Sequence, residues 1–119
     1  MTQPTPIVSQ ADVERIVKRD YSQERFDQIM SMLNEYGAND WQRESHRVRL
    51  AVLKLANGNI EELRRLIEWA KNDYRDVIAP AEYPMATKKL FTRKTLTEEE
   101  METIYKKDWD QYQQWINQG

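Results

Sequence analysis

The 119-residue sequence predicts an all-α domain: a compact bundle of four long, mostly antiparallel helices plus a short N-terminal one. Three observations carry that reading. Glycine and proline are scarce, with three and four copies, whereas glutamate, lysine, glutamine and leucine, which all favour helix, are plentiful. The apolar residues recur at three- and four-residue steps, the period of a helix with one buried face. Cap and stop residues punctuate these stretches at helical lengths.

Residues 1–8 read as a flexible tail and 9–119 as a single domain. Ser9 caps the first helix, with Asp12 completing a variant capping box and Val13, Ile16 and Val17 facing inward. It ends near Asp20. Ser22 caps the second helix, where Tyr21 and Phe26 occupy the positions of a hydrophobic staple. Its stripe is Phe26, Ile29, Met30, Leu33 and Tyr36, and Gly37 supplies a left-handed stop.

Asp40 is the expected cap of a third helix running to about Asn57, where Gly58 stops it and Asn59 opens a fourth through an Asn-x-x-Glu pattern ending at Glu62. Val48, Ala51, Val52 and Leu55 share one side of the third helix, and His46, Leu50 and Leu53 lie nearly opposite. Both sides therefore have apolar surface to bury, which places this helix at the centre. The fourth carries a continuous stripe from Ile60 through Leu63, Leu66, Ile67, Ala70, Tyr74, Val77 and Ile78, limited by Pro80. Residues 79–96 lose the pattern and read as a loop, with room for a turn or two of helix after Pro84. Thr97 and Glu100 form the capping box of the last helix, with Leu96 and Met101 as its staple, and an aromatic stripe follows.

The stretch HRVRLAVLKLANGNIEELRRLIEWAKNDYRDVIAPAEYP, residues 46–84, resembles a group of small bacterial proteins. The resemblance implies a helical fold and a bacterial cytoplasmic origin, and it carries over no activity, cofactor or catalytic residue.

Composition narrows the function classes. A net charge of −2 does not supply the broad positive field that general nucleic-acid binding uses. With no cysteine, thiolate catalysis, cysteine-ligated zinc and disulfides are excluded. No apolar run is long enough to cross a bilayer, and MTQPTPIVSQ lacks the basic-then-apolar order of a signal peptide. Phosphate-loop, dinucleotide, nucleophile-elbow, EF-hand and HExxH motifs are all missing, so no cofactor or metal is expected.

Two helical faces remain as candidate binding surfaces. On the fourth helix Glu62, Arg65, Trp69, Asp73 and Asp76 fall on one side, opposite the apolar stripe. They read either as a partner surface anchored by the indole, or as a face covered by the chain itself, with Asp73 and Asp76 meeting Lys88, Lys89, Arg93 or Lys94. On the third helix Arg43, Arg47 and Lys54 form a row that suits an anion, extended by Arg49 from the neighbouring side. The alternative there is a solvated face, or one paired with acidic neighbours.

Three further features stay open. Asp108 interrupts the apolar stripe of the last helix, so it needs a buried partner or takes a raised pKa suited to proton transfer. His46, the only histidine, is a packing residue or a general base near Glu44 or Asp40, and alone it cannot build a two-histidine metal site. The set Tyr105, Trp109, Tyr112, Trp115 and Ile116 either docks the last helix on the bundle or offers a self-association face. The leading expectation is thus a non-catalytic bacterial interaction or regulatory domain. A small-molecule or anion site with arginine, tyrosine and Asp108 or His46 is the alternative.

Overall fold

A computed structural model describes residues 7–37, 45–91 and 97–118, and among them every regular element is helical. Helix α1 (Gln10–Asp20) opens where the Asp12 carboxylate accepts the Ser9 backbone N–H at 3.0 Å, and it buries Val13, Ile16 and Val17 completely. After a 3-10 turn (Gln23–Arg25), α2 (Phe26–Leu33) buries Ile29, Met32 and Leu33. The second helix is shorter than its apolar stripe. Residues 34–36 tighten into 3-10-type turns that carry Tyr36 into the core, and Gly37 follows at φ +100°.

Helix α3 (Ser45–Ala56) buries Val48, Leu50, Ala51, Val52, Leu53 and Ala56, apolar residues on nearly every side. A helix buried all round must sit in the middle, and α3 packs against α1, α4 and α5. Its expected cap, Asp40, lies outside the described residues. The chain leaves α3 through Asn57 and Gly58, both at positive φ, and Asn59 Oδ1 accepts the Glu62 N–H at 3.0 Å to start α4 (Ile60–Asn72).

The fourth helix does not run on to Pro80 as its stripe predicts. Asp73 is extended (φ −154°, ψ 107°), and its carboxylate takes the backbone N–H of Arg75 at 3.0 Å, so a separate helix α5 (Arg75–Glu82) begins. The apolar stripe persists because Val77, Ile78 and Ala81 are buried on the new axis. Pro80 lies within α5 rather than beyond it. An internal proline costs about 3 kcal/mol, which burial of those three side chains offsets.

Residues 79–91 of the expected loop are almost entirely helical, beyond the turn or two anticipated after Pro84, and residues 92–96 lie outside the described residues. Tyr83 leaves the helical region (φ −137°, ψ 65°), as the residue before a proline is pushed to do, and Pro84 occupies the first position of α6 (Pro84–Phe91), where its missing N–H costs nothing. Helix α7 (Glu98–Asn117) begins with the predicted reciprocal box: Thr97 Oγ1 accepts the Glu100 N–H at 3.1 Å, and the Glu100 carboxylate accepts the Thr97 N–H at 3.4 Å. Leu96, the proposed staple partner, is outside the described residues. Helix α7 packs on α6 and α5, burying Ile104, Asp108, Tyr112 and Ile116 along a single line of four-residue steps.

Candidate functional site

The arginine row of α3 is directed into the fold. Arg47 donates Nε–H and Nη2–H to the two carboxylate oxygens of Glu82, both at 2.7 Å, in a fork that joins α3 to the end of α5. Only 19% of the Arg47 side chain and 4% of Glu82 remain accessible. The planar guanidinium is the group suited to such a bidentate grip. Arg49 donates to the Leu33 carbonyl at 3.1 Å and to the Tyr36 carbonyl at 2.7 Å, closing the C-terminal end of the second helix with positive charge. Its pKa is lowered by burial. Lys54 is half-buried; burial pushes its ammonium down while the charge of Asp108 works in the opposite direction. Arg43 lies outside the described residues. The row is thus occupied by tertiary contacts at Arg47 and Arg49.

Asp108 is 2% exposed and has found partners on another helix. Its two oxygens accept the backbone N–H groups of Met85 and Ala86 at 2.9 and 3.0 Å, so a side chain of α7 caps α6. The first turn of a helix has unsatisfied donors and a positive dipole end, which suits a carboxylate. One turn further on, Gln111 Nε2 donates to the Glu82 carbonyl at 3.2 Å and to the Asp108 carbonyl at 2.8 Å. Sequence reasoning located the anomaly at Asp108 but not its partner, because backbone donors leave no mark on side-chain spacing.

The aromatic set of α7 is mostly turned inward. Tyr112 and Ile116 are buried, and the half-buried Trp115 lies 5.6 Å from Tyr112 between ring centroids. Arg19 of α1 sits 5.2 Å from the Trp115 ring and donates to the Trp115 and Gln118 carbonyls, closing the end of α7. Tyr105 and Trp109 are half-buried. His46 is half-buried on α3, and its suggested partners Asp40 and Glu44 are outside the described residues. Burial pushes the hydroxyl of Tyr21 up to about 12 and raises that of Tyr112 further; neither oxygen has a hydrogen-bond partner among the described residues.

Trp69 differs from all of these. It is 50% exposed on the outer face of α4, whereas nearly every other large apolar side chain among the described residues is covered. The Arg65 guanidinium lies 4.5 Å from its ring centroid, a stacked cation–π contact, and is itself paired with Glu62 one turn away. This hydrogen bond with Arg65 holds the Glu62 carboxyl below its usual range. Asp73, expected on the same face, is instead the pivot between α4 and α5: both its oxygens are taken by the Arg75 side chain at 3.0 Å. Asp76 is exposed on α5. The side chains of Lys88, Lys89, Arg93 and Lys94 fall outside the described residues.

The clefts among the described residues are open grooves. One, of about 610 Å³, lies between α2 and α4 and is lined by Arg25, Gln28, Glu61, Arg64, Arg65 and Glu68 with Ile60. Others lie beside Phe26 and Lys18, at Tyr21 with Gly58, and between Met85 and Thr103. His46 and Asp108 line none of these four. Among the described residues no group of three histidine or carboxylate side chains is placed to hold a metal ion, and no helix is long and apolar enough to cross a membrane. No protein-family model, curated protein or solved structure matches the chain.

Proposed function

We propose that this chain is a small bacterial, cytoplasmic interaction or regulatory domain that presents the outer face of α4 to a protein partner, with no catalysis of its own. The half-exposed Trp69 carries the reading. Leaving an indole half in water on a helix that buries Leu63, Leu66 and Ile67 forgoes stability that a core position would provide, and tryptophan is among the residues most enriched in binding hot spots. The surface is also prepared in advance. Glu62 holds Arg65, and Arg65 lies on the indole, so less side-chain freedom is lost when a partner docks.

The chemistry of the face specifies the partner. Glu61, Glu62 and Glu68 are exposed around Trp69 on α4, and Asp76 is exposed on α5. A matching surface places an apolar side chain on the free part of the indole and basic groups on the acidic rim. The absence of cysteine fits a reducing compartment, and the resemblance of residues 46–84 to small bacterial proteins supports the bacterial assignment.

The test compares affinity capture from a bacterial lysate by wild type and by Trp69→Ala, each first shown to be helical by circular dichroism. A protein retained by wild type, lost with Trp69→Ala and released as salt is raised would support the reading. Equal retention by both folded proteins would overturn it. Recovery of the chain itself, lost with the same substitution, would make the partner a second copy.

A further inference from the structure

The turn between α3 and α4 holds the sequence Leu55-Ala56-Asn57-Gly58-Asn59, which contains the only Asn-Gly pair in the chain. Both residues of the pair are exposed and at positive φ, 50° for Asn57 and 83° for Gly58. The neighbouring amides are occupied: Asn57 N–H donates to the Leu53 carbonyl at 3.1 Å and Asn59 N–H to the Ala56 carbonyl at 3.0 Å. The Gly58 N–H between them has no acceptor among the described residues, and neither has the Asn57 carboxamide a partner there.

We propose that Asn57 is a site of spontaneous deamidation and isoaspartate formation, which makes this turn a target for enzymes that methylate isoaspartyl carboxylates. The Gly58 backbone nitrogen gives its proton to solvent base and attacks Asn57 Cγ. The N–Cγ bond forms, Nδ2 takes a proton from water, the Cγ–Nδ2 bond breaks and ammonia leaves, closing a five-membered imide. Water then opens one of the two imide carbonyls, giving either an ordinary aspartate or a β-linked one. Glycine permits the attack because it puts no side chain beside the nucleophilic nitrogen and leaves the backbone free to turn.

The other described asparagines lack this combination. Asn59 has its oxygen engaged as the cap of α4 and is followed by the β-branched Ile60. Asn34, Asn72 and Asn117 precede Glu35, Asp73 and Gln118, whose side chains crowd the nitrogen. The product changes the hairpin in two ways. It places a negative charge at the C-terminal end of α3, where the helix dipole disfavours it. The β-linked form also lengthens the backbone in a turn that abuts α1, where a Cβ on Gly58 would already stand 3.4 Å from the Asp20 carbonyl oxygen.

The experiment is incubation of the whole chain at mildly alkaline pH and physiological temperature, in native buffer and in urea, followed by peptide mass spectrometry and isoaspartyl methyl-transfer. In native buffer Asn57 is expected to convert at least roughly tenfold faster than Asn34, Asn59, Asn72 or Asn117, a gap of one decade in rate. Asn57→Gly, which accepts positive φ and has no carboxamide, abolishes the methyl-accepting signal. Conversion at Asn57 no faster than at the other four in native buffer, with rapid conversion only in urea, would show that the folded turn withholds the amide and overturn the proposal. So would a methyl-accepting signal that persists in Asn57→Gly.

Discussion

Among the described residues are two arginine–glutamate pairs of the same chemistry with opposite roles. Arg47–Glu82 spans 35 positions in sequence, is bidentate and nearly dry, and joins the central helix to the end of α5. Arg65–Glu62 spans three positions on one helix, with 47% of each side chain accessible. Separating the first pair breaks a two-bond fork whose carboxylate is only 4% accessible. The second can be separated at little cost to the fold, and it is the second that supports an exposed tryptophan. Burial, rather than the identity of the partners, decides whether an ion pair holds the structure or dresses a surface.

The largest break in that comparison is Glu82→Ala. It removes the carboxylate that takes two hydrogen bonds from Arg47 in a nearly dry fork and should lower stability by about 3–5 kcal/mol in chemical denaturation. The double change Arg47→Met with Glu82→Leu removes both charges and should recover most of that loss, since a packed apolar pair often equals a buried ionic one. A double variant as unstable as the single one would mean that the fork itself contributes net stability that an apolar pair does not replace.

Next in size is Asp108→Ala, which uncaps α6 and leaves the Met85 and Ala86 N–H groups without their acceptor. A loss of about 1–3 kcal/mol is expected. Asp108→Asn keeps one acceptor oxygen and should fall between the two in denaturation midpoint. If Asp108→Asn were as stable as wild type, the charge of the carboxylate would be irrelevant and the cap a matter of geometry alone.

These contacts also show what a sequence discloses. The all-α class and the caps at Ser9, Asn59 and Thr97 were legible because they depend on neighbours three or four positions away. So was the central position of α3, because apolar residues on opposite sides leave no other placement. The break at Asp73 was hidden by an apolar stripe that continues across it, although the pair Asn72-Asp73 carried a signal: both side chains compete for local backbone groups and favour turns. The continuation of α5 over residues 79–82 was hidden because Pro80 read as a limit, and α6 was legible only as a turn or two of helix after Pro84, because the cap that sustains it comes from Asp108, more than twenty positions away. Arg47 was visible as part of a row, but whether a row faces solvent or Glu82 is settled only by the path of α5. Trp69 could be placed on an outward face, while its exposure could not be read from spacing.

A smaller effect separates two kinds of buried tyrosine chemistry from the ion pairs. The Tyr112 hydroxyl lies in the core with no acceptor among the described residues, and burial raises its pKa, as it raises that of Tyr21 to about 12. A group whose folded pKa lies above its unfolded one contributes stability that is fully present below the unfolded value, near 10. That contribution declines as pH rises above 10 towards the folded value. Denaturation midpoints should therefore fall as pH is raised beyond about 10. Tyr112→Phe should be neutral or mildly stabilising at neutral pH, because no hydrogen bond is lost, and should reduce the alkaline decline. Destabilisation by Tyr112→Phe at neutral pH would show that the hydroxyl has an acceptor after all.

The smallest expected effect on stability is the sharpest test of the comparison. Glu62→Gln removes the charge from the exposed pair while keeping its shape. Hydrogen bonding to Arg65 holds the Glu62 carboxyl below its usual range, so whatever the pair contributes is present above the ordinary carboxylate pKa and disappears as pH falls through the lowered one. At neutral pH the contribution is fully present, yet it is screened by water and salt. The denaturation midpoint of Glu62→Gln should thus coincide with that of wild type. Capture of a partner through the Trp69 face should weaken, because Arg65 is no longer held over the indole, though by less than in Trp69→Ala. A marked loss of stability in Glu62→Gln would place this pair with Arg47–Glu82 as a support of the fold. Unchanged stability with weakened capture would leave the two pairs divided as their burial divides them.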